Sequence, residues 1–220
     1  MTVDAQPIAK LSDLSDLGFA VVEHSELPAE LLDLVDQVRG LVHAVARTQA
    51  DTAVLAGAAR TVAALTEQLG ADPRPLGTMV HRTWPDGHTE YGTLSNIVAG
   101  PANPLAPPLE LVRDGEEVRA EVTLNGLYEG PPGLVHGGWV AALLDQALGS
   151  ASSMTGRPSL TANLDVNYRK PTPIGAELTV AARITGTERR KVFVSAEIRH
   201  HGVVTAEGTA VMVQVAVSRS

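Results

Sequence analysis

The 220-residue chain reads as an α+β protein in which one long helix packs on an antiparallel sheet. Three observations predict this. Apolar residues occupy every side of the helical wheel from Trp139 to Leu148, directly after a Pro/Gly-rich turn, which marks a core helix. Alternating runs of strand length stand on both sides of that helix, one before it and four after. The later runs are joined by short polar turns, whereas parallel crossovers need a dozen or more residues.

Taken in order, residues from Pro28 to Leu69 carry helical periodicity in two runs. The first holds Leu31, Val35, Val38, Val42 and Val45, and the second Val54, Leu55, Ala58, Val62, Leu65 and Leu69. Pro28 suits a first helical position, Asp51 or Thr48 can cap the second helix, and Gly70 is placed to end it. A helical hairpin follows, read as a packing or dimer-stabilising arm. From Gly70 to Pro108 the motifs DPRP, WPDGH and GPANPLAPP favour turns and extended chain, with a short strand expected from Thr93 to Val98. Val118, Ala120, Val122 and Leu124 then alternate with polar residues after an Asp114-Gly115 turn. After the helix come the runs Thr161 to Arg169, Ala176 to Thr185, Lys191 to His200, and Val203 to Val215. Their turns, Pro171 to Gly175, Gly186 to Arg190, and His201-Gly202, predict antiparallel neighbours throughout. The division expected is a helical arm over residues 1–75 and a sheet-and-helix domain over 76–220.

Composition excludes several classes of function. The net charge of -8 disfavours nucleic acid as a partner, because a binding face would work against repulsion from the phosphates. The absence of cysteine removes disulfides, thiolate nucleophiles and Cys-containing metal cages, which suits a reduced compartment. The opening residues show no basic stretch followed by an apolar one, and no apolar run reaches about 18 residues. A cytoplasmic protein without an integral membrane segment is expected.

The core helix also carries chemistry. His136, Gly137 and Gly138 stand at its start, where unpaired N–H groups and partial positive charge can polarise a carbonyl. Asp145 lies inside it, where burial costs several kcal/mol unless the carboxylate is paired, hydrogen-bonded or used. At about 1.5 Å and about 100° per residue, Asp145 stands roughly 12 Å along the axis from Gly137 and about 80° around it. One small reacting group cannot touch both. A site using both ends needs a second copy of the helix, which a two-fold dimer supplies twice.

HGG followed by an Asp nine residues after its His resembles the hotdog-fold thioesterases of the phenylacetic-acid-pathway and THEM type. The resemblance extends through ANPLAPP at 102–108, GPPGLVHGG at 130–138 and TANLDVNYRKPTP at 161–173, over roughly the last 120 residues. It implies a hotdog fold, the sheet wrapped around the helix, and an acyl-CoA thioesterase that works without a cofactor or metal. It places the carbonyl-polarising N–H at Gly137, the nucleophile or general base at Asp145 of the neighbouring subunit, and a water- or carboxylate-holding hydroxyl at Thr161. His136 then takes a positioning role, and Gly138 a place beside the substrate. Some relatives have Asn six residues before that histidine; Gly130 stands there in this chain.

Each assignment has a plainer counterpart. Asp145 also reads as a structural carboxylate, His136 as a ring fixed by local hydrogen bonds, and Thr161 as an ordinary β-branched strand residue. Arg169 and Lys170 at a strand end, and Arg189, Arg190 and Lys191 in a turn, suit either coenzyme A phosphates or solvated surface. His200 and His201 are expected to point apart, and His24, His43, His81 and His88 show no metal-ligand spacing. GPPGLVHGG lacks the Gly-Lys-Ser/Thr of a phosphate loop. Beside the thioesterase stand a non-hydrolytic acyl-CoA-binding or regulatory hotdog protein and a hotdog hydratase. The expected assembly is a homodimer or a dimer of dimers.

Overall fold

A computed structural model describes residues 18–83 and 89–215; His88 and the first 17 residues lie outside them. Helix α3 (Gly137–Ser153) lies on a six-stranded antiparallel sheet made of β4 (Val112–Asp114), β5 (Glu117–Thr123), β6 (Ser159–Tyr168), β7 (Glu177–Glu188), β8 (Lys191–His200) and β9 (Val203–Gln214), in the order β4-β5-β7-β8-β9-β6. This is the hotdog arrangement of the α+β class.

The alternation seen in the sequence sets the face that meets the helix. Val118, Ala120 and Val122 of β5, Leu178 and Val180 of β7, and Val192, Val194 and Ile198 of β8 are all buried. They pack with Val140, Leu143, Leu144, Ala147, Leu148 and Ala151 of α3 in one core cluster. Burying each such Leu or Val contributes about 1.5–3 kcal/mol. Strand β9 offers Ala206, Gly208 and Ala210 beneath the helix, and a Cβ at position 208 would lie 3.5 Å from Leu144 Cδ1. Small residues there bring helix and sheet into close contact.

Helix α3 is not enclosed on every side, contrary to expectation. Ala142, Asp145, Gln146, Gly149, Ser150 and Ser153 form a half-buried face, because the sheet covers only the opposite side.

The turn from 171 to 175 does not join neighbouring strands either. Strand β6 pairs with β9 and β7 with β5, so these consecutive strands occupy separate parts of the sheet. Pro171 and Pro173 lack the N–H that continues a ladder. The backbone of this segment bonds instead to the loop before α3: Val135 N–H donates to Thr172 O, Ile174 N–H to Gly133 O, and Gly175 N–H to Leu124 O. The crossover thereby buttresses the loop that delivers His136.

A second, three-stranded sheet joins β1 (Val21–Glu23), β2 (Met79–Thr83) and β3 (Thr89–Thr93), with β1 and β2 parallel. It brings residues 21–23 against 79–81, across the expected boundary at 75. The strand anticipated from Thr93 to Val98 ends at Thr93, because the Asn96 side chain accepts from the N–H groups of Val98 (2.8 Å) and Ala99 (3.0 Å) and turns the chain.

The two predicted helices form as α1 (Ala29–Arg47) and α2 (Thr52–Leu69), with Asp51 accepting from the Val54 N–H at 2.9 Å and Gly70 closing α2. They do not lie along one another as a packed hairpin. Helix α1 docks Leu31 and Leu32 against Leu27, Val80 and Leu94, and Arg39 Nε donates to Ala106 O at 3.2 Å. Helix α2 buries no residue and exposes Val54, Leu55, Val62, Leu65 and Leu69.

Candidate active site

The loop 129–136 presents the start of α3 through a chain of close contacts. His136 N–H donates to Tyr128 O at 2.8 Å. Tyr128 is buried, meets Trp139 edge-to-face at 4.9 Å, and donates its hydroxyl to Leu105 O at 3.2 Å. Burial raises the Tyr128 pKa, with Arg39 opposing. His136 caps the helix, its Nδ1 accepting from the Gly138 N–H at 3.0 Å. Nδ1 therefore carries no proton, and a neutral ring holds it on Nε2.

A Cβ at Gly130 would lie 2.8 Å from His136 Cα, and one at Gly138 would lie 3.1 Å from His136 Nδ1. Glycine at 130 thus allows the close approach of His136. The two helix-start glycines also differ in what they offer. Gly138 spends its N–H on the cap, whereas the Gly137 N–H has no acceptor among the described residues. Gly137 O accepts from the Tyr168 hydroxyl at 2.9 Å. Tyr168, which thus touches the helix start, was not singled out in the sequence; its only signal was its place within TANLDVNYRKPTP.

Eight residues along α3, Asp145 is half-buried, and its Oδ1 accepts from the Thr161 hydroxyl at 2.9 Å. Its Oδ2 has no partner among the described residues. The structure brings Asp145 and Thr161 together and leaves Gly137 at the far end of the helix, beside Tyr168. Strand β6 runs along α3 in the opposite direction, with Ser159 meeting Ser152, Thr161 meeting Asp145, and Tyr168 meeting Gly137.

The basic residues fall into two groups. Arg169 holds the Glu207 carboxylate through Nε at 3.0 Å and also through Nη2, and Lys170 is exposed beside it. Arg189 forms the left-handed corner of the β7–β8 turn, with φ 54°, and Arg190 Nε donates to Gln214 O at 3.0 Å. Lys191 is exposed and pairs in register with Val213, which faces Leu160 of β6. The first group therefore sits at the Gly137 end of β6 and the second at its Thr161 end. His200 and His201 do not point apart. Their ring centroids are 4.1 Å apart, because His201 turns the chain with φ 48°. Among the described residues no group of three or more His, Asp or Glu is placed to hold a metal, and no helix is long and apolar enough to cross a membrane.

A helix wrapped by an antiparallel sheet, with a free N–H at its start and a hydroxyl-bound carboxylate within it, defines a hotdog protein with an enzyme-like site. The thioesterase superfamily profile matches residues 132–207. A crystal structure of protein RHA08564, described as a thioesterase superfamily protein, is 32% identical with a TM-score of 0.73. It covers 84% of this chain, and the match spans 90% of its own. The chain belongs to the thioesterase superfamily. Among curated relatives, acyl-coenzyme A thioesterase THEM4 of Xenopus laevis is 36% identical over 88 residues, 39% of this chain and 40% of the relative. Acyl-coenzyme A thioesterase THEM5 of Homo sapiens is 27% identical over 88 residues, 39% of this chain and 36% of the relative. The chain thus spans about two-fifths or less of the length of these curated relatives.

Proposed function

We propose that the protein hydrolyses acyl-CoA thioesters at a composite site built by two copies of the chain. The observation that carries this is the division of labour along α3: an unengaged Gly137 N–H at one end and a Thr161-oriented Asp145 carboxylate about 12 Å further on. Strand β6 is an outer strand of the sheet, at the edge opposite β4, with Leu160 65% and Tyr168 57% exposed. An antiparallel pair of β6 strands, one from each copy, carries the Tyr168 end of one strand toward the Thr161 end of the other. Gly137 then approaches Asp145 of the second copy, twice per two-fold dimer. The same pairing carries Arg169 and Lys170 toward the end of the partner sheet that bears Arg189, Arg190 and Lys191, a basic rim suited to the phosphates of coenzyme A. The likeness to the acyl-coenzyme A thioesterases THEM4 and THEM5 supports the substrate class.

In this reading the Gly137 N–H donates to the thioester carbonyl oxygen and stabilises the charge that develops there, worth about 10²–10³ in rate per well-placed donor. Asp145 takes a proton from a water that attacks the carbonyl carbon, or attacks that carbon itself to form a mixed anhydride that water then hydrolyses. The C–S bond breaks, the free acid forms, and the departing thiolate takes up a proton. Thr161 and Tyr168 are positioning residues, one for the carboxylate and one for the first peptide unit of the helix. We place the reaction in the cytoplasm, which a cysteine-free chain suits.

The test is an acyl-CoA panel with free-thiol detection on the wild-type chain and Asp145→Asn. The expected result is thiol release by wild type and a fall of about 10²–10⁴ in kcat for the variant, with its melting temperature preserved. Near-normal turnover in the variant would remove Asp145 from the chemistry.

A further inference from the structure

A cavity of about 430 Å³ opens between the three-stranded sheet and the half-buried face of α3. Its floor continues from the catalytic carboxylate: Gln146 follows Asp145 directly, and Gly149, Ser150 and Ser153 lie one to two turns further on. Glycine is a poorer helix former than alanine, yet a Cβ built at position 149 meets nothing within 4 Å. No neighbour in the chain requires glycine at this position. The room it leaves belongs to the cavity.

The opposite wall sets polar groups among Val80, Pro101, Leu109 and Leu111. Arg82 of β2 and Glu90 of β3 stand side by side in register, and Glu90 Oε1 accepts from the Ser150 hydroxyl at 3.3 Å. Arg82 pairs with Glu110 and holds Nη2 3.5 Å from His24 Nε2. Arg39 adds to the charged lining, so among the described residues two arginines and two glutamates line the space. Burial and then Arg82 lower the His24 pKa, which favours its neutral form. A long saturated chain would strip water from these groups without replacing its hydrogen bonds. An added carboxylate would meet as many acids as bases.

We propose that this cavity is the acyl pocket of the same site and that it receives a short acyl group carrying a neutral oxygen function, a hydroxyl or keto group, with Gly149 setting its room. The assignment rests on the thioesterase reading. Gly149 is a specificity-determining residue, and the β1–β3 sheet with the loop before β4 is the roof that gives the pocket its polarity.

Thiol release from acetyl-, hexanoyl-, 6-hydroxyhexanoyl-, adipyl- and palmitoyl-CoA tests it. The expected result is a kcat/KM for 6-hydroxyhexanoyl-CoA at least about tenfold above those for hexanoyl-, adipyl- and palmitoyl-CoA, the scale of discrimination that unpaired polar groups impose. In Gly149→Leu the ratio of 6-hydroxyhexanoyl- to acetyl-CoA turnover falls at least about tenfold. Gly40→Leu, on the exposed side of α1, controls for helix propensity and leaves the ratio as in wild type. Turnover that rises with saturated length to palmitoyl, or an unchanged ratio in a folded Gly149→Leu protein, would overturn the proposal. If wild type cleaves none of the panel, the thioesterase reading fails, and equilibrium binding of the same thioesters judges the cavity alone. Weaker binding of 6-hydroxyhexanoyl-CoA than of acetyl-CoA by Gly149→Leu, relative to wild type, supports the pocket; equal losses overturn it.

Discussion

The Thr161 hydroxyl donates to Asp145 Oδ1 at 2.9 Å, tying the outer strand of the sheet to the open face of the central helix. One carboxylate oxygen is fixed, and the other has no partner among the described residues. A hydrogen bond to a charged group contributes about 1.5–3 kcal/mol, so Thr161→Val, which keeps the side-chain shape, is expected to lower kcat about ten- to a hundredfold with little change in KM. Thr161→Ser should restore most of the loss. Steady-state kinetics on the two variants check this, and equal defects in both would assign Thr161 a packing role.

A composite site makes a sharper prediction. Gly137→Pro removes the N–H while suiting the first helical position, where proline is well tolerated, and His136 before it already has the extended ψ of 133° that proline demands of its neighbour. Gly137→Pro and Asp145→Asn should each be inactive alone. Refolded together, half of the dimers are mixed and each mixed dimer holds one intact site, so about one quarter of wild-type activity returns. No recovery on mixing would place the whole site within one chain.

Gly130→Ala tests the seat of the helix cap. Its Cβ would stand 2.8 Å from His136 Cα, and such overpacking costs about 1–3 kcal/mol. The expected outcome is a lowered melting temperature together with reduced turnover, as His136 is pushed from Gly138. Thermal unfolding at wild-type stability would show that the loop yields without cost.

The strands were legible because alternation survives wherever one face of a sheet meets a core: Val118, Ala120 and Val122 announce β5, and Val192, Val194 and Ile198 announce β8. Their order was not legible, since alternation is blind to neighbours and the position of β6 depends on Pro171 and Pro173 finding partners in the loop before α3. The small sheet escaped notice for another reason. Strands of three and five residues joined across more than fifty positions leave no periodic trace. In the site, Gly137 and Asp145 stood out by residue type and spacing and Thr161 through the family resemblance, whereas Tyr168 acquires its partner only because β6 crosses the start of the helix.

Acid should weaken the roof of the cavity. Burial first, and Arg82 second, lower the His24 pKa, so the unfolded chain takes up this proton at a higher pH than the folded one. The stabilisation from neutral His24 is full above the unfolded-state value of about 6.5 and is lost as pH falls through it toward the lower folded value. Melting curves between pH 8 and pH 5 should therefore show a smaller loss for His24→Gln than for wild type. Parallel curves would mean that His24 protonates alike in both states.

The exposure of β6 bears on how the protein behaves on dilution. An unpaired outer strand bearing Leu160 and Tyr168 is a surface that must find a mate or remain a hazard for unwanted strand pairing. If its mate is an identical strand and the reacting groups meet only across that seam, catalysis follows mass action: activity per molecule rises with concentration and is lost on dilution while each chain stays folded. The seam would then govern when the chemistry can occur as well as where.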